Sequence, residues 1–325
     1  MSEWPALSAL VALLLALAVD TWWGEPPVRL HPVVWMGRAL GWAGQGLQRL
    51  ASQRVDNTDY TACGLGALAW CALALVVLGM SCACVWMLQG LPWWCASLLL
   101  GLLLKPMLAW NMLKSEVQAV EHALGRSLAT GRERLSWVVS RDVGQLSATQ
   151  VRESAIESLA ENLNDSVVAP IFWFVLLGLP GAAVYRFANT ADAMWGYRGI
   201  YKGQNWEWAG KWAAWADDLL SWVPARITAL LLLAARGGPG LALLARLGTE
   251  ARHTPSPNSG WPMAAMALKL NVALCKPGVY TLNAPGRAVE SGDVSAAIGY
   301  ASRALRYLVA IVAIALIGTA VGACA

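Results

Sequence analysis

Residues 63–90, CGLGALAWCALALVVLGMSCACVWMLQG, contain no charged side chain over 28 positions. A helix needs about 20 consecutive apolar residues to cross the hydrocarbon core of a bilayer, so this stretch is long enough to span it. Residues 166–185 and 307–325 are also free of charge, over 20 and 19 positions. The sequence therefore predicts an all-α fold, a polytopic bundle of membrane helices whose polar loops carry any chemistry.

The composition of the chain agrees with this class. Apolar residues make up 57% of the 325 residues and charged residues only 14%, whereas a soluble domain carries about 25% charged residues. The net charge is +4 and the basic residues are scattered, which argues against a nucleic-acid-binding surface. Most of the seven cysteines lie in apolar stretches and no C-x-x-C pair occurs, so a disulfide or zinc framework is not expected.

The apolar stretches predict five helices, at residues 4–19, 63–88, 93–113, 167–185 and 307–325. We interpret the first as a retained helix, because it lacks the basic n-region and the cleavage site of a signal peptide. The third is interrupted at Lys105-Pro106. Since a charge in lipid is costly, Lys105 should face the bundle interior or a polar mouth. Residues 227–251 fit a short hairpin that re-enters the bilayer, which we favour, or amphipathic helices lying against it.

The positive charges predict the orientation of the bundle. Basic residues concentrate in the loops at 20–62 and 114–165, and the short turn at 89–92 has none. The positive-inside rule then puts the long loops in the cytoplasm and both termini outside. No internal repeat divides the chain, so residues 1–325 are predicted to form a single membrane-embedded domain.

The most distinctive polar pattern is an acidic row in the segment 152–165, RESAIESLAENLND. The segment contains neither Gly nor Pro and favours helix. Its carboxylates recur every fourth residue, and therefore stack on one helix face: Glu153, Glu157, Glu161 and Asp165. Like charges at this spacing repel each other, and only Arg152 is available nearby to compensate them. The row predicts a Mg²⁺ site completed by substrate phosphates; the alternative is a solvated acidic face.

Two further polar clusters are candidate sites. Asn189 and Asp192 follow one apolar stretch, and Asp217-Asp218 precede another. The alternative to a functional role for Asp217-Asp218 is that their charge complements the dipole at the start of a helix. The segment 252–262, RHTPSPNSGWP, has three prolines that should fix a rigid loop. Its polar side chains suit an anion, in particular the phosphate of a substrate, and the alternative is a structural turn with a capping Asn. The three histidines are scattered and no Walker A pattern occurs, so neither a zinc enzyme nor a P-loop is expected.

Taken together and in this order, the motifs resemble those of the adenosylcobinamide-phosphate synthase family, membrane proteins of cobalamin biosynthesis. The similar stretches lie between residues 20 and 280. They are Asp20 with Gly24-Glu25-Pro26, His31-Pro32-Val33 with Gly37, Arg141-Asp142, Glu157-x-x-x-Glu161-Asn162-x-x-Asp165-x-x-x-Ala169-Pro170, Gly178-Leu179-Pro180-Gly181-Ala182, Asn189-Thr190-x-Asp192-x-x-x-Gly196-Tyr197, Asp217-Asp218 with Pro224-Ala225-Arg226, and His253 with Ser256-Pro257-Asn258-x-Gly260.

The resemblance implies an ATP- and Mg²⁺-dependent amide ligation at the inner membrane. The propionate of adenosylcobyric acid (cobyric acid) would be joined to the amine of aminopropanol phosphate, or of a similar amino-alcohol phosphate, to give adenosylcobinamide phosphate. Activation of the carboxylate by phosphoryl transfer, with a metal bridging the phosphates, would precede attack by the amine. The expected partners are these corrinoid and amino-alcohol phosphate substrates, the lipid bilayer, and a second copy of the chain or other late corrinoid-pathway membrane enzymes.

The resemblance also implies site residues, which we assign by residue type. The catalytic candidates are Glu157, Glu161, Asp192, Asp217 and Asp218, and the candidate metal ligands are Glu161 and Asp165. The candidates for substrate binding are His31, Arg141, Asp142, Asn162, Asn189, Tyr197, Arg226, His253, Ser256 and Asn258.

The chain departs from the family pattern at several positions. Trp215 stands where the family usually has Arg, Leu274-Cys275-Lys276-Pro277 replaces Leu-Gly-Gly-Pro, and Tyr280-Thr281-Leu282 replaces Tyr-Gly-Gly. Loss of permissive glycines changes the available backbone conformations, so substrate specificity should be affected there. Two other functions stay open: a non-enzymatic membrane sensor or regulator on the same scaffold, and a transporter, which should place ionisable residues in the middle of its spans.

Overall fold

The computed structural model describes residues 6–50, 58–235 and 241–324, and almost all regular structure in them is helical. The helices are α1 Ala6–Trp23, α2 Pro32–Leu50, α3 Tyr60–Leu88, α4 Trp93–Leu104, α5 Trp110–Arg126, α6 Leu128–Leu135, α7 Ala148–Leu163, α8 Ala169–Trp195, α9 Lys211–Ala234, α10 Leu241–Ala251, α11 Gly260–Leu270 and α12 Ser291–Cys324. Two short antiparallel hairpins complete the fold: β1 Ile200–Tyr201 with β2 Gln204–Asn205, and β3 Leu274–Lys276 with β4 Tyr280–Leu282. The all-α prediction is confirmed.

Five helical segments are long and apolar enough to cross a membrane: Ala6–Trp23, Tyr60–Leu88, Trp93–Arg126, Ala148–Trp195 and Ser291–Val321. Each of the five predicted helices overlaps one of them. The observed helices extend further into polar sequence than predicted, because capping groups and tertiary contacts, rather than hydropathy, decide where a helix ends. The chain is a multi-pass membrane protein.

The predicted interruption at Lys105-Pro106 is confirmed. The helix α4 ends at Leu104, a 3₁₀ turn covers Lys105–Met107, and α5 begins only at Trp110. The side chain of Lys105 is 2% exposed, so it faces the interior as expected. A buried ammonium needs opposite charge around it, and two carboxylates described below supply that charge.

The acidic segment forms the predicted helix and continues towards a membrane span. A capping box of Ser147 and Gln150 starts α7 by satisfying two backbone N–H groups. A π-helical turn at Asn164–Val168 joins α7 to α8. The helix α8 is itself broken at Gly178, whose φ of 66° and ψ of −159° lie outside the helical region. The polar helix and the apolar span are therefore consecutive parts of one helical segment.

The helix α9 corrects one sequence-based interpretation. Asp217 and Asp218 lie in the interior of Lys211–Ala234, whose first turn has no acidic residue. Charge that complements a helix dipole acts within the first turn, so that interpretation of the pair is wrong. The stretch at 227–251 contains the end of α9 and all of α10, but residues 236–240 lie outside the described residues. The choice between a re-entrant hairpin and surface helices therefore stays open.

The chain divides into two compact units. Unit 1 comprises Met1–Leu108, Ala169–Ser221 and Leu316–Ala325, and unit 2 comprises Ala109–Val168 and Trp222–Ala315. In unit 1, α1 packs on α4, and α2 and α3 pack on α8. In unit 2, α7 packs against α5, α6, α11 and the strand β3, and α10 packs on α11. The prediction of one membrane-embedded domain stays a prediction.

Candidate functional site

The acidic face of α7 is enclosed within unit 2. Glu153 and Glu157 are 7% and 5% exposed, so the interpretation as a solvated face is wrong for these two residues, while Glu161 and Asp165 are partly exposed. The expected counter-ion also differs, because Arg152 forms a bidentate ion pair with Glu121, at 2.9–3.1 Å. The cation beside the row is instead Arg141 of the preceding loop.

Arg141 and Tyr280 both engage the carboxylate of Glu157. The Arg141 Nη2 atom lies 3.5 Å from Glu157 Oε2 and also donates to Ser154 Oγ. The Tyr280 hydroxyl donates a hydrogen bond to Glu157 as well. Glu153, one turn earlier, accepts a hydrogen bond from the backbone N–H of Cys275. The acidic row is thus positioned by a loop on one side and the β3–β4 hairpin on the other.

A tight turn brings Lys276 and Tyr280 together in the β3–β4 hairpin. Pro277 and Gly278 occupy the middle of this turn, Gly278 has φ 72°, and the Val279 N–H donates to the Lys276 carbonyl at 2.9 Å. A Pro-Gly pair with positive φ at glycine is typical of a type II turn. Lys276 and Tyr280 are consequently paired across the two strands.

The far end of the hairpin is fixed to α10. The Asn283 N–H donates to Glu250 Oε2 at 2.7 Å, and Arg246 Nη2 donates to Asn283 Oδ1 at 2.6 Å. Asn283 is itself buried and has φ 50°, a left-handed conformation that Asn tolerates better than most residues. These polar contacts hold the end of β4 to α10, in addition to the hydrogen bonds that the hairpin makes with α7.

A cavity of about 160 Å³ opens between α7, the hairpin and α11. Its lining residues are Val138, Val139, Ser140, Arg141, Ser154, Glu157, Ser158, Glu161, Asn162, Met263, Lys276 and Tyr280. The structure therefore brings together four of the residues singled out from the sequence, namely Arg141, Glu157, Glu161 and Asn162.

Two polar atoms of this lining are buried and lack a hydrogen-bond partner among the described residues: Glu157 Oε1 and Arg141 Nε. One is an acceptor and the other a donor. Burial and the neighbouring carboxylate of Glu157 raise the pKa of Tyr280 well above its ordinary value, so this hydroxyl stays protonated and remains a donor. The cavity thus offers unused groups of both kinds to a ligand.

The donor set is compatible with Mg²⁺. Mg²⁺ usually takes one or two protein carboxylates and completes its shell with water and substrate phosphates. Glu157 and Glu161 supply carboxylates, and the unpartnered Glu157 Oε1 is an atom that a cation could satisfy. Within the described ranges no group of three or more His, Cys, Asp or Glu side chains is arranged to hold a metal. The residues present therefore fit a Mg²⁺ site in which the substrate phosphates provide part of the coordination.

Several predicted residues of unit 2 lie outside the lining of this cavity. Asp142 is exposed and accepts the Gly144 N–H at 2.8 Å, closing a local turn. Asp165 lies in the π-helical turn and accepts a hydrogen bond from Asn164 at 2.9 Å. His253 is half-exposed and lies 3.5 Å from Glu250.

The loop at 252–259 is held to α9 by Arg226. Its Nη1 donates to Asn258 Oδ1 at 2.5 Å and its Nη2 to the Pro257 carbonyl at 3.1 Å. The guanidinium is also sandwiched between Trp222 and Trp261, 4.5 and 4.6 Å from the ring centroids. Asn258 is 4% exposed.

Ser256 bends the same loop by accepting the N–H groups of Asn258 and Ser259, both at 3.2 Å. The prediction that 252–262 lacks regular structure is wrong for its last residues. Gly260, Trp261 and Pro262 form the first turn of α11, where the missing N–H of proline removes no helical hydrogen bond.

In unit 1, His31 belongs to a buried ion-pair cluster. Glu25 Oε2 lies 3.1 Å from His31 Nε2 and 2.8 Å from Lys105 Nζ, and Lys105 Nζ lies 3.1 Å from Asp20 Oδ1. Burial of Glu25 opposes its ionisation, but hydrogen bonds from His31 and Lys105 outweigh burial and hold its pKa below the ordinary value. The motif residues Asp20, Glu25 and His31 thus surround the one lysine that interrupts a span.

The other predicted residues of unit 1 gather on α8 and α9. Asn189 donates to Asp217 at 3.4 Å and accepts from Arg186 at 3.2 Å. A Cβ at Gly196 would lie 2.0 Å from Asp192 Oδ1, so only glycine fits there. Tyr197 stacks on Tyr201 with ring centroids 3.5 Å apart. Asp218 is half-buried, and burial raises its pKa although Arg198 opposes the shift.

Sequence reasoning missed the contribution of the hairpin to the cavity. Neither Lys276, which departs from the family pattern, nor Tyr280, which matches it, was predicted as a site residue, yet both line the cavity. The signal was present, since Pro277-Gly278 between two short stretches rich in apolar and β-favouring residues predicts a turn. Which helix the hairpin would cover could not be predicted from it.

Comparison with known proteins agrees with this picture. The chain matches the family model described as CobD/Cbib protein over residues 13–308. It is 40% identical over 298 residues to a protein of Thermococcus kodakarensis named probable cobalamin biosynthesis protein CobD, covering 90% of each chain. It is 37% identical over 305 residues to the protein of that name from Methanothermobacter thermautotrophicus, covering 92% of this chain and 95% of the other.

A bacterial relative, the cobalamin biosynthesis protein CobD of Halalkalibacterium halodurans, is 36% identical over 278 residues, or 83% of this chain and 82% of its own. No solved structure matches the chain. The family match covers the α7 cavity, the ion-pair cluster around Lys105 and the Arg226 loop. The chain therefore belongs to the CobD/Cbib family and is a membrane protein of cobalamin biosynthesis.

Proposed function

We propose that this protein is an ATP- and Mg²⁺-dependent ligase of the inner membrane. It joins the propionate of adenosylcobyric acid to the amine of aminopropanol phosphate, or of a similar amino-alcohol phosphate, and so produces adenosylcobinamide phosphate. The proposal names a reaction for a chain whose family membership already indicates a role in cobalamin biosynthesis.

The cavity beside α7 is the observation that supports this reaction best. It combines carboxylates at Glu157 and Glu161 with cations at Arg141 and Lys276, close to a persistently protonated hydroxyl at Tyr280. Amide ligation with phosphorylated reactants requires both kinds of charge, since phosphates must be neutralised and a proton must leave the attacking amine.

The residues of the cavity have distinct roles in this proposal. Bound Mg²⁺ and ATP supply the phosphoryl group that activates the propionate and the positive charge that stabilises it. Glu161, which lies one turn after Glu157 on the same helix face, would hold the metal. Arg141 holds the carboxylate of Glu157 through Oε2. Glu157 Oε1, which has no partner in the described part of the chain, can accept the proton of the amine as the C–N bond forms.

The purified protein in detergent or nanodiscs provides the direct test. Incubation with adenosylcobyric acid, aminopropanol phosphate, ATP and Mg²⁺ should yield adenosylcobinamide phosphate with one ADP and one inorganic phosphate per amide, because the amine displaces the phosphate that activated the propionate. The products are detected by mass spectrometry and a coupled ADP assay. Omission of ATP or addition of EDTA should stop the reaction. No amide from either aminopropanol phosphate or ethanolamine phosphate would reject the ligase function and leave a sensor or regulator as the explanation.

A further inference from the structure

The cavity beside α7 is small for the reactants of the proposed ligase. Its volume is about 160 Å³, and about 10–15 Å³ of such space accommodates one water molecule, so it has room for roughly ten to fifteen non-hydrogen atoms. An amino-alcohol phosphate with about nine such atoms fits within it, whereas a nucleoside triphosphate with about thirty would have to extend out of it. A corrin ring is larger still.

The charges of the lining are of both signs and are balanced. Glu157 and Glu161 contribute carboxylates from α7, while Arg141 and Lys276 contribute cations from the preceding loop and from the hairpin. The positive charge of Lys276 acts on the carboxylate of Glu157, so the two opposite charges are close enough for one small ligand to interact with both.

Two buried atoms show what the lining still lacks. Among the described residues, Arg141 Nε has no acceptor and Glu157 Oε1 has no donor. A bare cation would satisfy Glu157 Oε1 and leave Arg141 Nε without an acceptor, and a simple anion would do the reverse. A molecule that carries an anionic and a cationic group a few bonds apart can satisfy both, and an unsatisfied buried polar atom is costly.

We infer that this cavity binds the amino-alcohol phosphate, with its phosphate against Lys276 and Arg141 and its amino group beside Glu157. Lys276 is then the residue that determines the preference for phosphorylated over unphosphorylated amino alcohols. The identity of the zwitterion rests on the proposed ligase function. This assignment replaces the sequence-based prediction that the phosphate binds the loop at 252–262. In that loop Arg226 and Asn258 already hydrogen-bond each other.

Substitution of Lys276 tests the assignment. Lys276→Gln should raise the KM for aminopropanol phosphate by about tenfold to a hundredfold, the usual range for a charge-assisted hydrogen bond to phosphate. The KM for adenosylcobyric acid should be unchanged. Any turnover of unphosphorylated aminopropanol, which lacks the group that Lys276 binds, should not fall. Lys276→Arg, which keeps the charge, should restore most of the affinity. The matched control is Lys202→Gln, an exposed lysine in the β1–β2 turn, with wild-type constants expected.

A binding experiment separates failure of this inference from failure of the ligase function. Calorimetry with aminopropanol phosphate alone, without ATP or corrinoid, should show binding to the wild type and to Lys276→Arg but at least about tenfold weaker binding to Lys276→Gln. Such binding would support the inference even if the wild type made no amide. Equal affinity of wild type and Lys276→Gln, or a KM for adenosylcobyric acid that rises as much as that for the amino-alcohol phosphate, would overturn it.

Discussion

Glu161 lies one helical turn after Glu157 on the same face of α7 and also lines the cavity. It is near enough to Tyr280 for its charge to help raise the pKa of that hydroxyl. Because Glu161 lines the cavity, we expect removal of its charge by substitution to affect function, which would not be expected on a solvated helix face. Its role can be separated from its contribution to folding by a nearly isosteric change.

We expect Glu161→Gln to reduce ligase turnover by about a hundredfold or more, because even residues that only orient a metal ligand are worth about 10–100-fold. Membrane insertion and thermal stability should stay near wild type. The comparison is Glu133→Gln, an exposed carboxylate on α6, where a surface change is worth within about ±0.5 kcal/mol. Steady-state assays over a range of Mg²⁺ concentrations provide the measurement. Wild-type turnover by Glu161→Gln at ordinary Mg²⁺ would contradict the assignment of Glu161 as a metal ligand.

Glu25 makes the stability of unit 1 depend on pH. Its pKa in the folded protein lies below its ordinary value, so its ionisation stabilises the fold above the unfolded pKa of about 4.3 and loses that effect as pH falls through the folded pKa. Unfolding midpoints of wild type and Glu25→Gln, measured between about pH 3 and pH 7, should differ most at neutral pH and converge under acid. A difference that grows towards low pH would contradict the sign of the shift.

Among the secondary-structure elements, α8 contains a residue whose backbone conformation favours glycine. Gly178 has φ 66° and ψ −159°, a region that is essentially restricted to glycine. A Cβ there would meet only Pro180 Cδ, at 3.7 Å. Any penalty for a side chain at this position therefore comes from the backbone conformation rather than from a collision.

Gly178→Ala should destabilise the protein by about 1–3 kcal/mol, the range for a residue forced into such a conformation. Gly64→Ala is the control, since Gly64 is an exposed residue within α3 with nothing near its missing Cβ and alanine favours helix over glycine. Thermal unfolding in detergent, followed by circular dichroism, should show a lower midpoint for the first variant only. Equal midpoints for both variants would contradict the prediction that the backbone conformation at position 178 disfavours alanine.

The elements also show what could be predicted from the sequence. The spans followed from uncharged stretches of about 20 residues, and the shared face of Glu157 and Glu161 followed from helical periodicity, which is local. Which arginine contacts the acidic row could not be predicted, because it depends on tertiary packing rather than on local sequence. Arg152 is adjacent to the row in sequence but pairs with Glu121, while Arg141, 16 residues before Glu157, contacts it. The enclosing hairpin depends on tertiary packing, which no pattern in the chain specified.

At the scale of the whole molecule, the orientation in the membrane stays a prediction. The turn after α3 has no basic residue, whereas the segment from α5 to α7 carries many. The positive-inside rule predicts that such a segment lies in the cytoplasm. The opposite orientation would expose the α7 cavity to the other side of the membrane.

Labelling of single cysteines in a cysteine-free background tests this orientation. Gln89 and Ser136 are both exposed, one beside the α3–α4 turn and the other after α6. An impermeant thiol reagent should label Gln89→Cys in intact cells and Ser136→Cys only after permeabilisation. Labelling of Ser136→Cys but not Gln89→Cys in intact cells would invert the topology.

The β3–β4 hairpin has a consequence for how new activities could arise in this family. Its two strands contribute Lys276 and Tyr280 to the cavity, and besides its contacts with α7 it is anchored at its far end through Asn283 to α10. A short segment that carries part of the lining can exchange those side chains while the long helices keep their own packing. Transplanting residues 274–282 between relatives therefore exchanges part of the cavity lining in a single step, and we expect it to change which small molecules the cavity accepts.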